Sequence, residues 1–530
     1  MRSPLVHLIK KAFFSSLREA DGLAPADEGR RRFLRDAGLV AGGLALAPAL
    51  NALAIDDKRR NIVIVGAGMA GLNAAYQLKK KGINSTIYEA SGRAGGRMFT
   101  LRDKFGKGIT TDIGGEFVDT DHTEIFALAR ELGVEFYNLK EDKLDPKTFY
   151  FEGKHLNGED LKTAMRPFVK LIEKDVKSLP EKIDHTTGHL FRHLDELSIA
   201  QYLTQIGITG WLYRLLNVVL TMEYGMETTE QSALNFLIMF TEPVAAEKEY
   251  ELFGDEHEVF KIKGGSGHLT DKLYEQVKAQ VLTGHKLTAI SQNKTNQYQL
   301  SFEHRGAVKK VNADYVIMAI PFTILRKINF DVPMPSAKRK SIDELGYGNS
   351  GKFIMGFNDK AWRKAGKTGY TFTDLELGCG WDSSQMQSQS EASFTLFGGG
   401  HIINTLNNEK IEDLTRRIVP QLEKIYPGAQ KGFNSKTVKF LWSQYPYNMG
   451  GYSTFKKGQW STIAGWEAVP VGQIYFAGEH VSLNCQGYMN GAAQTGRLAA
   501  EMITKLVAAP PNPPRKGGLS LSHKTKQKSL

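Results

Sequence analysis

Three glycines and one acid carry the first chemistry that can be read along this chain. Gly66, Gly68 and Gly71 stand at G-x-G-x-x-G spacing, and Glu89 follows them. In that spacing the first glycine permits a tight turn and the second lets the backbone approach a pyrophosphate. The third lets a helix pack closely on a strand, and an acid about 20 residues further on can accept hydrogen bonds from a ribose diol. Just past the acid, Gly92-Arg93-Ala94-Gly95-Gly96-Arg97 places two arginines around a glycine turn. Such a turn can bring guanidinium groups to phosphate oxygens. Ala70 and Ala90 lie inside the same segments and complete this candidate cofactor-binding set.

With 53 glycines in the chain, the spacing alone carries little, and the elements around it decide. Ile62-Val63-Ile64-Val65 is the apolar β-branched run of a strand buried on both faces. Leu72 to Lys81 has Leu72, Ala75 and Leu78 at helical spacing and closes at Gly82; a second strand, Ser85 to Tyr88, ends at the acid. Strand, glycine turn, helix, strand and acid in that order make a dinucleotide-binding unit. The free N–H groups and positive end of the helix would hold the phosphates.

The segment Asn61 to Arg97 closely resembles the flavin amine oxidases, the family of monoamine, polyamine and L-amino-acid oxidases, in which this fingerprint binds FAD. Phytoene desaturases and protoporphyrinogen oxidases share it. The resemblance continues at Thr111-Asp112-Ile113-Gly114-Gly115-Glu116-Phe117-Val118, which in the family runs beside the flavin ring. Paired glycines there would let a flat ring lie against backbone. It continues at the stretch around Leu287, which implies backbone contacts to the adenine, and at Tyr475-Phe476-Ala477-Gly478-Glu479-His480, whose acid would approach the pyrophosphate and ribityl chain. Gln486-Gly487-Tyr488-Met489-Asn490-Gly491-Ala492-Ala493 then resembles the start of a long helix whose N-terminus faces the flavin and would stabilise negative charge on it.

Catalytic roles come from the resemblance too. Lys352, within Gly351-Lys352-Phe353-Ile354-Met355-Gly356-Phe357, matches the lysine that holds a water against the flavin. Tyr452 and Tyr488 match the aromatic pair that flanks the substrate amine, and Trp442 matches an aromatic near the flavin. Gly451 stands where some members carry a cysteine joined to FAD, so FAD is expected to be non-covalent. The segment after the paired glycines carries Glu116 and Phe117, with no arginine for a substrate carboxylate. An acid there would repel a carboxylate and could attract an extra ammonium, which favours amines, although an arginine from the substrate domain could serve a carboxylate instead. The resemblance therefore implies an FAD-dependent oxidase that converts an amine and O2 to an imine, then aldehyde or keto acid, with ammonia and H2O2. An L-amino-acid oxidase or tryptophan 2-monooxygenase on the same scaffold is the alternative; a flavin desaturase and a non-catalytic flavoprotein stand further off.

A chain of 530 residues is too long for one core. The expected class is α/β: a Rossmann-like FAD-binding domain (58–120, 256–329 and 441–508) interleaved with a substrate domain of mixed sheet plus helices (121–255 and 330–440). Residues 140–255 read as helical and amphipathic. The net charge of +11 is concentrated toward the N-terminal segment and the tail 509–530, which its prolines and basic residues mark as disordered. There is no nucleic-acid motif. Cys379 and Cys485 give no disulfide framework. His185, His189 and His193 stand at i, i+4 and i+8, a spacing that can put imidazoles on one helix face, but Gly188 weakens that helix and no carboxylate partner is evident, so no metal is expected. Residues 1–54 read as export rather than fold. Arg30-Arg31-Arg32-Phe33-Leu34-Arg35 resembles a bacterial twin-arginine signal, and Ala52-Leu53-Ala54 is a candidate cleavage site. The expected location is periplasmic or secreted, without stable membrane insertion after signal removal. The partners are a small-molecule amine or amino acid and O2, with room for a homodimer.

Overall fold

Ile62–Val65 is buried along its whole length, because it lies at the centre of a parallel sheet. In this computed structural model, which describes residues 4–20, 60–145, 147–241, 259–295 and 297–508, that sheet runs 281–282, 86–88, 62–65, 315–318 and 474–476. All four pairings are parallel. Parallel neighbours need crossovers, and the first is the helix Met69–Lys80. The C-terminal helix Met489–Ala508 packs on it. Their approach is close at Gly496, where a Cβ would lie 2.2 Å from the Ala70 carbonyl oxygen. The strands around Leu287 extend to Lys286–Gln292 and Tyr298–His304 and belong to a separate four-stranded sheet.

A seven-stranded sheet forms the opposite wall of the site, in the order 433–441, 350–357, 392–399, 379–382, 371–373, 148–151 and 154–156. Ser350–Phe357 is buried at every position. Against this sheet packs a helical lobe that includes Gly158–Met165, Val169–Lys177, Gly188–Asp195 and Gly210–Tyr224. No helix among the described residues is long and apolar enough to cross a membrane.

Three expectations need correction. Residues 140–255 are not helical throughout, since Thr148–Phe151 and Lys154–Leu156 form strands of the large sheet. The aromatic run there is stabilised across the sheet, with Phe149 stacked on Phe372 at 5.9 Å. Nor are residues 1–54 wholly outside the fold. Pro4–Ala20 is a helix that docks on the helical lobe, burying Ile9, Ala12, Phe13 and Leu17 along one stripe. Phe13 meets Phe240 at 4.5 Å, the Ser16 hydroxyl donates to the Lys162 carbonyl at 3.1 Å, and Glu19 pairs with Lys162 and Arg166. The arginine motif, Ala52-Leu53-Ala54 and the tail lie outside the described residues. Lastly, the three histidines do not share a helix face. His189 and His193 lie in Gly188–Asp195, while His185 precedes it and sits 2.7 Å from the Ala464 carbonyl oxygen.

Candidate active site

The glycine turn holds its shape for reasons internal to the protein at two positions and faces open space at the third. Gly66 has φ +101°, and a Cβ there would lie 2.6 Å from the Ala319 carbonyl oxygen. Gly71 packs under the turn, where a Cβ would fall 2.0 Å from the Gly66 carbonyl oxygen. At Gly68 the nearest protein atom to a Cβ is 3.9 Å away, and Gly68 lines a cavity. That cavity measures about 700 Å³, in the range of cofactor and ligand sites.

Glu89 reaches this turn with both oxygens oriented. One accepts from the Ala67 amide at 2.7 Å; the other accepts from the Ser91 amide at 2.8 Å and the Ser91 hydroxyl at 2.7 Å. Arg93 stacks over Phe99 at 3.8 Å and donates to the Ala94 and Gly96 carbonyls. Its buried Nε has no hydrogen-bond partner among the described residues. Arg97 donates to the Gly451 carbonyl at 2.6 Å and to Glu479 at 2.7 Å. The other oxygen of Glu479 takes the Ser453 hydroxyl at 2.7 Å and the Gly487 amide at 2.9 Å. Burial pushes the Glu479 carboxyl up, but Arg97 and its other partners outweigh that and hold it below its ordinary value. Glu479 thus ties three loops together beneath the cavity.

Gly114 and Gly115 both have close protein neighbours. A Cβ on Gly114 would meet the Arg97 carbonyl oxygen at 1.8 Å, and one on Gly115 would meet Met489 at 2.9 Å. Close packing against backbone requires glycine at Gly114, and both glycines line the cavity. Gly487, Tyr488 and Met489 bring the start of the C-terminal helix to the cavity, and Ala70, Ala90, Gly95, Gly96, Leu287 and Gly478 also line it. Of the sequence-predicted residues only Gly71 lies behind the wall.

Behind Gly114 the strand 350–357 contributes Lys352, 3 % exposed. Its ammonium donates to the Asp112 carbonyl at 2.8 Å, the Gly114 carbonyl at 3.1 Å and Glu116 at 2.8 Å. The second oxygen of Glu116 pairs at 2.7 Å with Lys261, which also donates to the Ser383 carbonyl at 2.6 Å. Burial pushes Glu116 up, yet Lys261 and Lys352 together hold its carboxyl below the ordinary value. Asp112 goes the other way: burial, then the charge of Glu116, raises it to about 6. Glu116 was expected to attract a substrate ammonium. Its charge is spent on two lysines, so that role does not stand. Lys261 was missed in the sequence, although it opens the segment Lys261-Ile262-Lys263-Gly264-Gly265 and pairs in register with Phe117.

Tyr452, Tyr488 and Trp442 all reach the cavity. The Tyr452 hydroxyl donates to the Met222 carbonyl at 2.7 Å and the Trp442 indole to the Ile113 carbonyl at 2.9 Å. The ring of Tyr488 rests edge-on against His122 at 4.8 Å. Beyond them the wall is aromatic: Trp381 stacks on Tyr370 at 5.6 Å and meets Phe117 edge-on at 5.4 Å. Asp119, Asp121 and His122 come close enough together to hold a cation, and no role for them follows.

Residues 69–504 match the model of the family described as flavin containing amine oxidoreductase. The chain belongs to this family. Human amine oxidase [flavin-containing] B is 27% identical over 467 residues, which span 84% of this chain and 86% of that protein. L-amino acid oxidase bordonein-L of Crotalus durissus terrificus is 25% identical over 482 residues, 86% of this chain and 92% of that one. In fold, cyclohexylamine oxidase from Brevibacterium oxydans IH-35A superposes with a TM-score of 0.73 at 20% identity, covering 86% of this chain and 100% of that chain. As a family member this is an FAD-dependent amine oxidoreductase. The residues present fit the cofactor: an open approach at Gly68, an oriented acid at Glu89, and an unpartnered Nε on Arg93.

Proposed function

We propose that this amine oxidoreductase is an oxidase of amines carrying an apolar or aromatic body. When bound, FAD would supply the redox chemistry, a two-electron exchange between the amine-bearing carbon and O2 that yields an imine and H2O2. The chain's own residues do the rest. Tyr452 and Tyr488 orient the amine between their rings, whose electron-rich faces favour a developing cation. Trp381, Tyr370 and Phe117 take the substrate body and exclude water. Lys352 places positive charge where oxygen accepts electrons, and Glu89 with the glycine turn holds the dinucleotide half.

The observation that carries the choice of amine over amino acid is the state of the arginines. Among the described residues lining the cavity, only Arg93 and Arg97 are arginines. Arg97 is committed to Glu479 and Gly451, while Arg93 lies stacked on Phe99 in the cofactor loop. A substrate carboxylate would find no fork-shaped donor at the aromatic end. The resemblance to an L-amino acid oxidase keeps that class as the second reading. Anaerobic mixing with aryl- and alkyl-monoamines, diamines and L-amino acids decides between them. Fast bleaching of the flavin by monoamines is expected, and bleaching by L-amino acids alone would overturn the reading. Non-covalent attachment of FAD and twin-arginine export are proposals of the same standing, supported by Gly451 and by the Arg30–Arg35 run.

A further inference from the structure

An ammonium has three protons to donate, and Lys352 gives one to each of three protein acceptors, of which only Glu116 is charged. Lys261 grips the same carboxylate from the other side. We propose that Glu116 and Lys261 are a positioning pair, in which Glu116 keeps Lys352 protonated and aimed while Lys261 balances the charge and holds Glu116 in place. This rests on the reading of Lys352 as the lysine beside the flavin.

The argument is one of charge balance in a closed space. Asp112, Glu116, Lys261 and Lys352 are 3 %, 4 %, 5 % and 3 % exposed. Asp112, on the strand Thr110–Asp112, offers Lys352 its backbone carbonyl while its carboxylate accepts from Ser266; Glu116 comes from the turn that follows, and Lys261 meets it from the strand Phe260–Ile262. The Trp381 ring lies 5.1 Å from the Lys352 ammonium. The register partners of Lys352 on its two flanking strands are Phe397 and Phe440, which carry no charge. Two acids thus answer two ammoniums. Buried charge is costly unless paired, so removing one member forces a proton to move. Without Glu116 the cluster has a surplus positive charge, relieved when a lysine gives up its proton. Without Lys261 the surplus is negative, and Asp112, already raised to about 6, takes up a proton while Lys352 stays an ammonium.

Opposite consequences separate this from mere structural damage. Holoenzymes carrying Glu116→Gln, Glu116→Asp and Lys261→Met would be compared with the parent from pH 7 to 9. Two readouts are needed: stopped-flow reoxidation of the flavin by O2, and the thermal midpoint. In the parent the reoxidation rate should vary by no more than about twofold. In Glu116→Gln it should fall at least tenfold as pH rises, because the lysine loses its proton. The thermal midpoint of that variant should rise with pH relative to the parent, because the folded state then binds fewer protons than the unfolded chain. Glu116→Asp should restore the level profile, and Lys261→Met should keep it. A level rate profile together with a level thermal slope in Glu116→Gln, or an alkaline fall in Lys261→Met like that of Glu116→Gln, would overturn the pairing. If Glu116→Gln does not fold, the Lys261→Met and Glu116→Asp profiles still decide. Thermal slopes as expected with unmoved reoxidation rates would support the pairing and overturn the placing of Lys352 beside the flavin.

Discussion

Glu89 receives two backbone amides and a hydroxyl, so its carboxylate meets a ribose already oriented. Glu89→Ala should raise the FAD dissociation constant by one to two orders of magnitude, since each charge-assisted hydrogen bond is worth roughly 1.5–3 kcal/mol. Titrating apoprotein with FAD measures it, and an unchanged constant would remove Glu89 from the ribose. Tyr452→Ala and Tyr488→Ala should each slow anaerobic flavin reduction at least tenfold, or about 1.4 kcal/mol, while Tyr→Phe at either position stays mild because the ring remains. Parental reduction rates in both alanine variants would dissolve the pair. Lys352→Met should slow reoxidation far more than reduction, and equal reoxidation rates would return Lys352 to a structural role. At this scale the cofactor half was legible because its residues lie close together in the chain. The charged cluster was not, since Asp112, Glu116, Lys261 and Lys352 meet only after three separate sheets have formed.

Among the elements, the loop 450–454 shows how a single glycine can be over-determined. A Cβ at Gly451 would lie 2.0 Å from the Ser350 hydroxyl, and the Gly451 carbonyl accepts from Arg97. A cysteine there would displace Ser350, so packing as well as the missing thiol supports the proposal of a non-covalent FAD. Heat-denatured protein should release all its flavin as intact FAD, and flavin retained on the precipitate would contradict this. Gly451→Ala should lower the thermal midpoint by several degrees, corresponding to overpacking costs of about 1–3 kcal/mol. The same scale explains what could be read beforehand. Ile62–Val65 declares itself by local composition. Thr148–Phe151 does not, because four residues become a strand only by pairing with Thr371–Thr373, far along the chain.

For the molecule as a whole, one buried pair outside the site contributes a pH dependence of its own. Burial raises the Glu467 carboxyl to about 7 and pushes the Lys338 ammonium down, although Lys338 donates to the Glu467 carbonyl at 2.6 Å and lies 3.6 Å over the Phe476 ring. A carboxyl that binds its proton more tightly when folded stabilises the protein below its unfolded pKa of 4.5, and that stability is lost as pH rises through 7. The loss is on the order of 3 kcal/mol. Relative to Glu467→Gln, the parent's thermal midpoint should therefore fall between pH 5 and 7.5; an identical slope in the two proteins would exclude this source.

The docked helix Pro4–Ala20 also makes the protein a host for part of its own chain. Tethered through residues 21–59, the helix meets its groove at an effective concentration on the order of millimolar. If the chain is cut after Ala54, the same helix must return from bulk solution, where a micromolar preparation offers it roughly a thousandfold less. Uncut protein should then melt at a midpoint independent of dilution. Cut protein that retains the fragment should melt lower as it is diluted, as Phe240 and its neighbours lose the cover of Phe13.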